Sequence, residues 1–259
     1  MNKLSTDKST AMDFLYTAHL LRSFFEDLDR WRKESVYLGI ETSIADQEYS
    51  DLFWGTDADI YIPLWASACK GKGDILVDKT TFEVIKFYKE RGYDPVRMDG
   101  NPPDFIGEQL RFLEYLFKCV LDGHDECEAD AYRFIEDYTL DTIKEMSEQI
   151  RKFTSHPEVI FVCDALTSLS KHEPLSINEA KGSSPEAIFE SFDSKDWKKG
   201  EPIPIEDERM VLSSGINNCG GNCRIETRVR EGCVLDLSTD SCFNDIQIRT
   251  CARGRGYRY

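Results

Sequence analysis

The sequence predicts an all-α body spanning residues 1–170, a linker over 171–209 and a small cysteine-rich β-hairpin tail over 210–259. Three observations carry this division. Apolar residues recur at steps of three and four through the first part, the spacing that lines one face of a helix. Period-two alternation is scarce before residue 200 and then appears in CRIETRVREGCVLDLSTD, across a glycine turn. Between them, KHEPLSINEAKGSSPEAIFESFDSKDWKKGEPIPIEDER is rich in Pro, Ser, Glu and Lys and poor in periodicity, with one short helix expected around Pro185 to Phe192.

Each helix has its own signals. Phe14, Ala18, Leu21, Phe25, Leu28 and Trp31 form one face of a long first helix. A looser segment, VYLGIETSIADQ, leads to YSDLFWG. After Lys79, Thr80 with Glu83 three positions on reads as a capping box, and Gly92 as a stop. Pro102 and Pro103 suit the start of the next helix, with Asp104 in its first turn complementing the dipole. Ile106, Leu110, Leu113, Phe117 and Val120 place that helix at the centre of the bundle. A helix from about Ala129 to Phe153 follows, ended by His156 and Pro157, and another runs from Val159 to about Leu169. Phe189, Phe192 and Trp197 suggest that part of the linker lies against the bundle.

Charge and composition exclude several functions. The 259 residues carry a formal net charge of -16. Residues 210–259 hold seven Arg against five acidic residues, leaving 25 basic against 43 acidic in residues 1–209. An acidic body argues against nucleic acid, whose phosphates require Lys and Arg, and suits a basic peptide. MNKLSTDKSTAMDF lacks the apolar core of a targeting segment, and no run approaches the ~20 apolar residues of a membrane span. A cytoplasmic protein is expected. Cys69, Cys119, Cys127 and Cys163 lack metal-ligand spacing and read as reduced, mostly buried residues. No Gly-rich phosphate loop, GxSxG elbow or paired-histidine metal helix occurs, so no enzyme is expected.

The stretch from Tyr49 to Leu113 sets aromatics, a proline pair and isolated carboxylates between helices, where a plain bundle needs only polar loops. YSDLFWG, IPLWAS, FYKERGY and NPPDFIGEQLRFLEYL, in that order, resemble the redox-enzyme maturation chaperones of the TorD/DmsD type over residues 10–170. The resemblance implies an all-α, TorD-like bundle. It also implies a partner, the apo form of a molybdenum oxidoreductase's catalytic subunit, bound with its twin-arginine signal peptide and held for cofactor insertion before export. A monomer with no cofactor of its own is expected. Asp104 matches the family's motif aspartate, and Phe105 stands where the family usually has histidine. The expected peptide-binding residues are Tyr49, Leu52, Phe53, Trp54, Trp65, Pro102, Pro103, Asp104, Phe105 and Glu108, with the peptide's arginines facing Asp104 and Glu108.

The tail resembles the N-terminal iron–sulfur segment of dimethyl-sulfoxide-reductase-type molybdopterin oxidoreductases, through NNCGGNC and IRTCARGRGYR. That resemblance implies a four-iron cluster on Cys219, Cys223 and Cys251, with the first ligand position falling on Gly215 or Ile216. Soft thiolates at close spacing are what such a cluster requires. An alternative reading follows: a fragment or fusion of a molybdopterin oxidoreductase, whose tail transfers electrons.

Overall fold

The computed structural model describes residues 8–55, 60, 62–70, 78–95, 101–175, 197–216 and 222–239. The body is helical, as the sequence predicts, and the tail is a three-stranded antiparallel sheet that contains the predicted hairpin. Two helices form the spine: α1 (Lys8–Glu26) and α6 (Ile106–Leu121). Both are buried almost all round, α1 from Phe14 to Phe25 and α6 from Ile106 to Val120. Phe14 stacks on Phe117 with ring centroids 4.5 Å apart. Each such buried side chain contributes about 1.5–3 kcal/mol, so the seam between the two helices supplies much of the body's stability.

A helix buried on every side must also satisfy its polar residues internally. Arg22 of α1 lies 2.6 Å from Glu114 of α6, with both side chains at or near zero exposure. Arg111 donates to Glu26 at 2.7 Å, and Tyr93 donates to Glu108 at 2.5 Å. His19 sits between Glu34, at 2.9 Å, and Glu114, at 3.7 Å. Burial works against the charged imidazolium, but these carboxylates outweigh it and raise the pKa of His19.

The sequence expects one helix through Trp31, but the chain breaks at Asp27, whose carboxylate accepts Arg30 N–H and caps α2 (Leu28–Glu34). A 3₁₀ turn over Ser35–Leu38 ends at Gly39, with φ 69°, and α3 (Asp46–Phe53) follows. Glu158 ties this region down. It accepts from Trp31 Nε1 at 2.5 Å and from the backbone N–H groups of Ser43 and Ile44 at 2.7 and 2.8 Å. After α4 (Ala66–Lys70), α5 (Lys79–Glu90) is capped two residues earlier than expected. Its capping box joins Asp78 with Thr81: the Asp78 carboxylate accepts Thr80 N–H at 2.7 Å, and the Thr81 hydroxyl accepts Asp78 N–H.

The long helix expected from Ala129 is α7 (Glu126–Phe134) and α8 (Leu140–Phe153), joined by a π-helical turn over Ile135–Thr139. Pro157 does not end a helix but opens α9 (Pro157–Ser170), where its missing N–H has no intrahelical use. In the tail, β1 (Arg209–Ile216) pairs with β2 (Asn222–Arg230), which pairs with β3 (Cys233–Thr239). The hairpin predicted from alternation is β2–β3, and β1 joins its outer edge. The helix expected around residues 185–192, with Phe189 and Phe192, lies outside the described residues. No helix among those described is long and apolar enough to cross a membrane.

Two predictions follow from this packing. Glu158→Ala leaves three donors without their acceptor and is expected to cost about 3 kcal/mol in urea unfolding; a loss under about 0.5 kcal/mol would contradict the tie. His19 carries a raised folded pKa, so its stabilisation is full below the unfolded pKa and is lost as pH rises through the folded one. From about pH 6 to about pH 9, wild-type stability should therefore fall more than that of His19→Gln, and parallel curves would refute the assignment.

Candidate functional site: an aromatic cleft at the start of α6

The chain before α4 runs extended and pairs with the chain before α6. Ala66 N–H donates to Asp104 C=O at 3.1 Å, and Ile106 N–H donates to Leu64 C=O at 2.8 Å. This short bridge sets Trp65 opposite Phe105. The Phe105 ring lies 6.1 Å from that of Trp65 and 6.0 Å from that of Trp54, at the end of α3. Three rings from three segments thus form one row. Beside it opens a cleft of about 250 Å³ lined by Leu52, Phe53, Trp54, Gly55, Ile60, Ile62 and Trp65.

Exposure separates the cleft's surface from its support. Trp54 is 42% exposed and Trp65 is half-buried, while Phe105 is 5% exposed. The indole N–H of Trp65 is buried and has no hydrogen-bond partner among the described residues. Such a donor is costly until an acceptor reaches it.

Of the expected binding residues, Leu52, Phe53, Trp54 and Trp65 come together around the cleft, with Phe105 behind them. Tyr49 lies deeper, packed edge-on against Phe24 and donating its hydroxyl to Phe24 C=O. Pro103 is buried, its carbonyl accepting from Tyr88 Oη at 3.2 Å. Pro102 is half-buried and turns the chain, its carbonyl accepting Phe105 N–H at 3.0 Å. Ile60 and Ile62 are cleft residues that the motif reading did not single out. Their signal was the apolar pair flanking the aromatic segments.

The two carboxylates expected to meet the peptide's arginines face the interior. Asp104 is 0% exposed. It precedes α6 rather than entering its first turn, and it accepts Ser67 N–H at 2.7 Å, tying α4 to the start of α6. Burial raises its pKa, opposed by hydrogen bonds from Ser67 and Thr81. Glu108, 4% exposed, is held by Tyr93 and lies 3.7 Å from Arg111. Charge is offered at the surface instead by Glu48 and Asp51, exposed on α3, the helix that ends at Trp54, and by Asp46, which also accepts from Arg32.

Of the tail's expected cluster ligands, Cys223 alone lies among the described residues. Cys219 and Cys251 lie outside the described residues. Cys223 stands on β2 opposite Gly215, the position where the first thiolate would fall, and glycine supplies no donor. Cys233 cannot replace it. It follows the β2–β3 turn, seven residues along β2 from Cys223, about 23 Å at the rise of a strand. Among the described residues, no group of three or more His, Cys, Asp or Glu is arranged to hold a metal.

The family model of the nitrate reductase delta subunit matches residues 41–153. No curated protein and no solved structure matches the chain. The matched span runs from the loop before α3 to the end of α8, so it holds every segment that builds the cleft. Members of the family are chaperones of molybdoenzyme maturation rather than catalysts. The match over residues 41–153 supports the resemblance to TorD/DmsD-type maturation chaperones that the aromatic and proline motifs carry.

Proposed function

We propose that this chaperone binds the twin-arginine signal peptide of a molybdenum oxidoreductase in the Trp54–Phe105–Trp65 cleft. It keeps the catalytic subunit in its apo form in the cytoplasm, as a monomer, and assists cofactor insertion before export. The observation that supports this reading is the group of three rings beside an open cleft, in which Trp54 stays exposed while Phe105 behind it is part of the core.

Binding without turnover needs only complementary surface. The apolar stretch of a signal peptide would cover Trp54, Ile60, Ile62 and Trp65, and large aromatic anchors of this kind carry most of an interface's affinity. The arginines would lie toward Asp46, Glu48 and Asp51, where attraction is long-range and screened by salt. Asp104 acts as a positioning residue beneath the cleft. The electron-transfer reading is not favoured, because the donor set at Gly215 and Cys223 is incomplete.

Trp54→Ala and Trp65→Ala should each weaken binding of a synthetic twin-arginine signal peptide by about 10- to 100-fold in calorimetry, with the far-ultraviolet circular dichroism unchanged. Undiminished affinity in both variants would remove the cleft assignment.

A further inference from the structure

The tail does not belong to the core of the body, yet it is docked on it. The contiguous apolar core runs from Ala11 to Leu169, with Trp197 packed at its margin, and none of its buried members comes from the sheet. What joins the two is a strap followed by a turn. Trp197 packs edge-on against Tyr93 and Tyr115, each with centroids 6.0 Å away. Gly200 crosses Gly92 so closely that a Cβ on either would collide with the other's backbone, and Gly200 N–H donates to Tyr115 Oη at 2.9 Å. Ile203 N–H donates to the carbonyl of Lys89 at 2.8 Å.

The turn of the β2–β3 hairpin then delivers one carboxylate. Glu231 Oε2 accepts from Lys89 Nζ at 2.5 Å, with side chains 3% and 7% exposed, and Glu231 Oε1 accepts Glu206 N–H. The backbone at this residue is unfavourable. Glu231 has φ 52° and Gly232 φ 65°, a two-residue turn with both positions left-handed, which favours Asn or Gly at the first. Strain of this sort persists where the surroundings reward it. Here the reward is the buried ion pair.

Two features set the contact apart from the body's apolar core. A buried ion pair adds little net stability beside an apolar pair of similar volume, while losing one partner is costly. Packing is also incomplete: a cleft of about 370 Å³ remains between α5 and the tail, lined among others by Phe82, Ile85, Ile205 and Arg230.

From these observations we propose that the C-terminal end of α5 and the Tyr93–Tyr115 surface, both covered by the tail, form a second docking site, separate from the aromatic cleft. Residues 197–206 with the β2–β3 turn at Glu231 are a tethered ligand occupying it. The partner that fits is an enzyme segment of the same design: a tryptophan anchor, a glycine crossing, and a β-hairpin whose turn presents a glutamate. Only the identity of that partner as a client rests on the chaperone reading. A chaperone built this way holds a signal peptide and a folded hairpin at the same time.

Lys89→Glu and Glu231→Lys each set like charges together in the full-length chain. In hydrogen exchange, the amides of Gly200, Ile203 and Glu206 should then exchange at least about tenfold faster, and the double variant carrying both swaps should restore much of the protection. A synthetic peptide of residues 197–239 should bind the Glu231→Lys chain, whose site is vacated, and not the wild-type chain. Signal-peptide affinity should stay unchanged in all variants, which separates failure here from failure of the aromatic cleft. Unchanged exchange in both single variants, or a peptide that fails to bind the Glu231→Lys chain, would overturn the proposal.

Discussion

The contact between Arg22 and Glu114, inside the seam of α1 and α6, is the constraint from which the rest of the body is built. A glutamate at 0% exposure demands a cation, and Arg22 meets it only when the two helices lie in one register. That register also stacks Phe14 on Phe117 and brings Glu26 to Arg111. The apolar rings supply the stabilisation. The charged groups select one alignment among the several that a purely apolar seam would permit, a use of buried polar groups attested in other helical assemblies.

Fixing α6 also fixes what precedes it. The backbone bridge from Leu64 to Ile106 and the Asp104–Ser67 hydrogen bond hold the start of this helix against the extended chain that carries Trp65. The carboxylate at position 104 therefore acts indirectly, as a brace that faces Phe105 between two tryptophans. Phenylalanine here completes an apolar row that an imidazole would interrupt with two polar nitrogens. Function follows from geometry of this kind: a rigid ring platform on an acidic body, beside a tail that docks elsewhere.

Much of this was legible in the residues. The periodicity of Ile106 to Val120 located the central helix, and the alternation across Glu231–Gly232 located the hairpin. The aromatic motifs pointed to Trp54, Trp65 and Phe105. What could not be read was direction. Asp104 and Glu108 have the composition of surface ligands, but local spacing carries no information on whether a carboxylate faces water or a buried Ser67 N–H. The same holds for Tyr49, which supports the core through Phe24. The break at Asp27 was hidden because the apolar rhythm of α1 continues through it to Trp31. The Lys89–Glu231 pair spans 142 residues, and contacts of that range leave no local trace.

The central claim is that the ring row is where a client's leader sequence lies. Photo-cross-linking tests it most directly, with a photoreactive phenylalanine analogue placed in turn at Trp54, at Trp65 and at the exposed Phe153, on the far end of α8, as a control. The account predicts cross-links to a twin-arginine leader from the first two positions and none from the third. Equal labelling from all three, or labelling from position 153 alone, would contradict it.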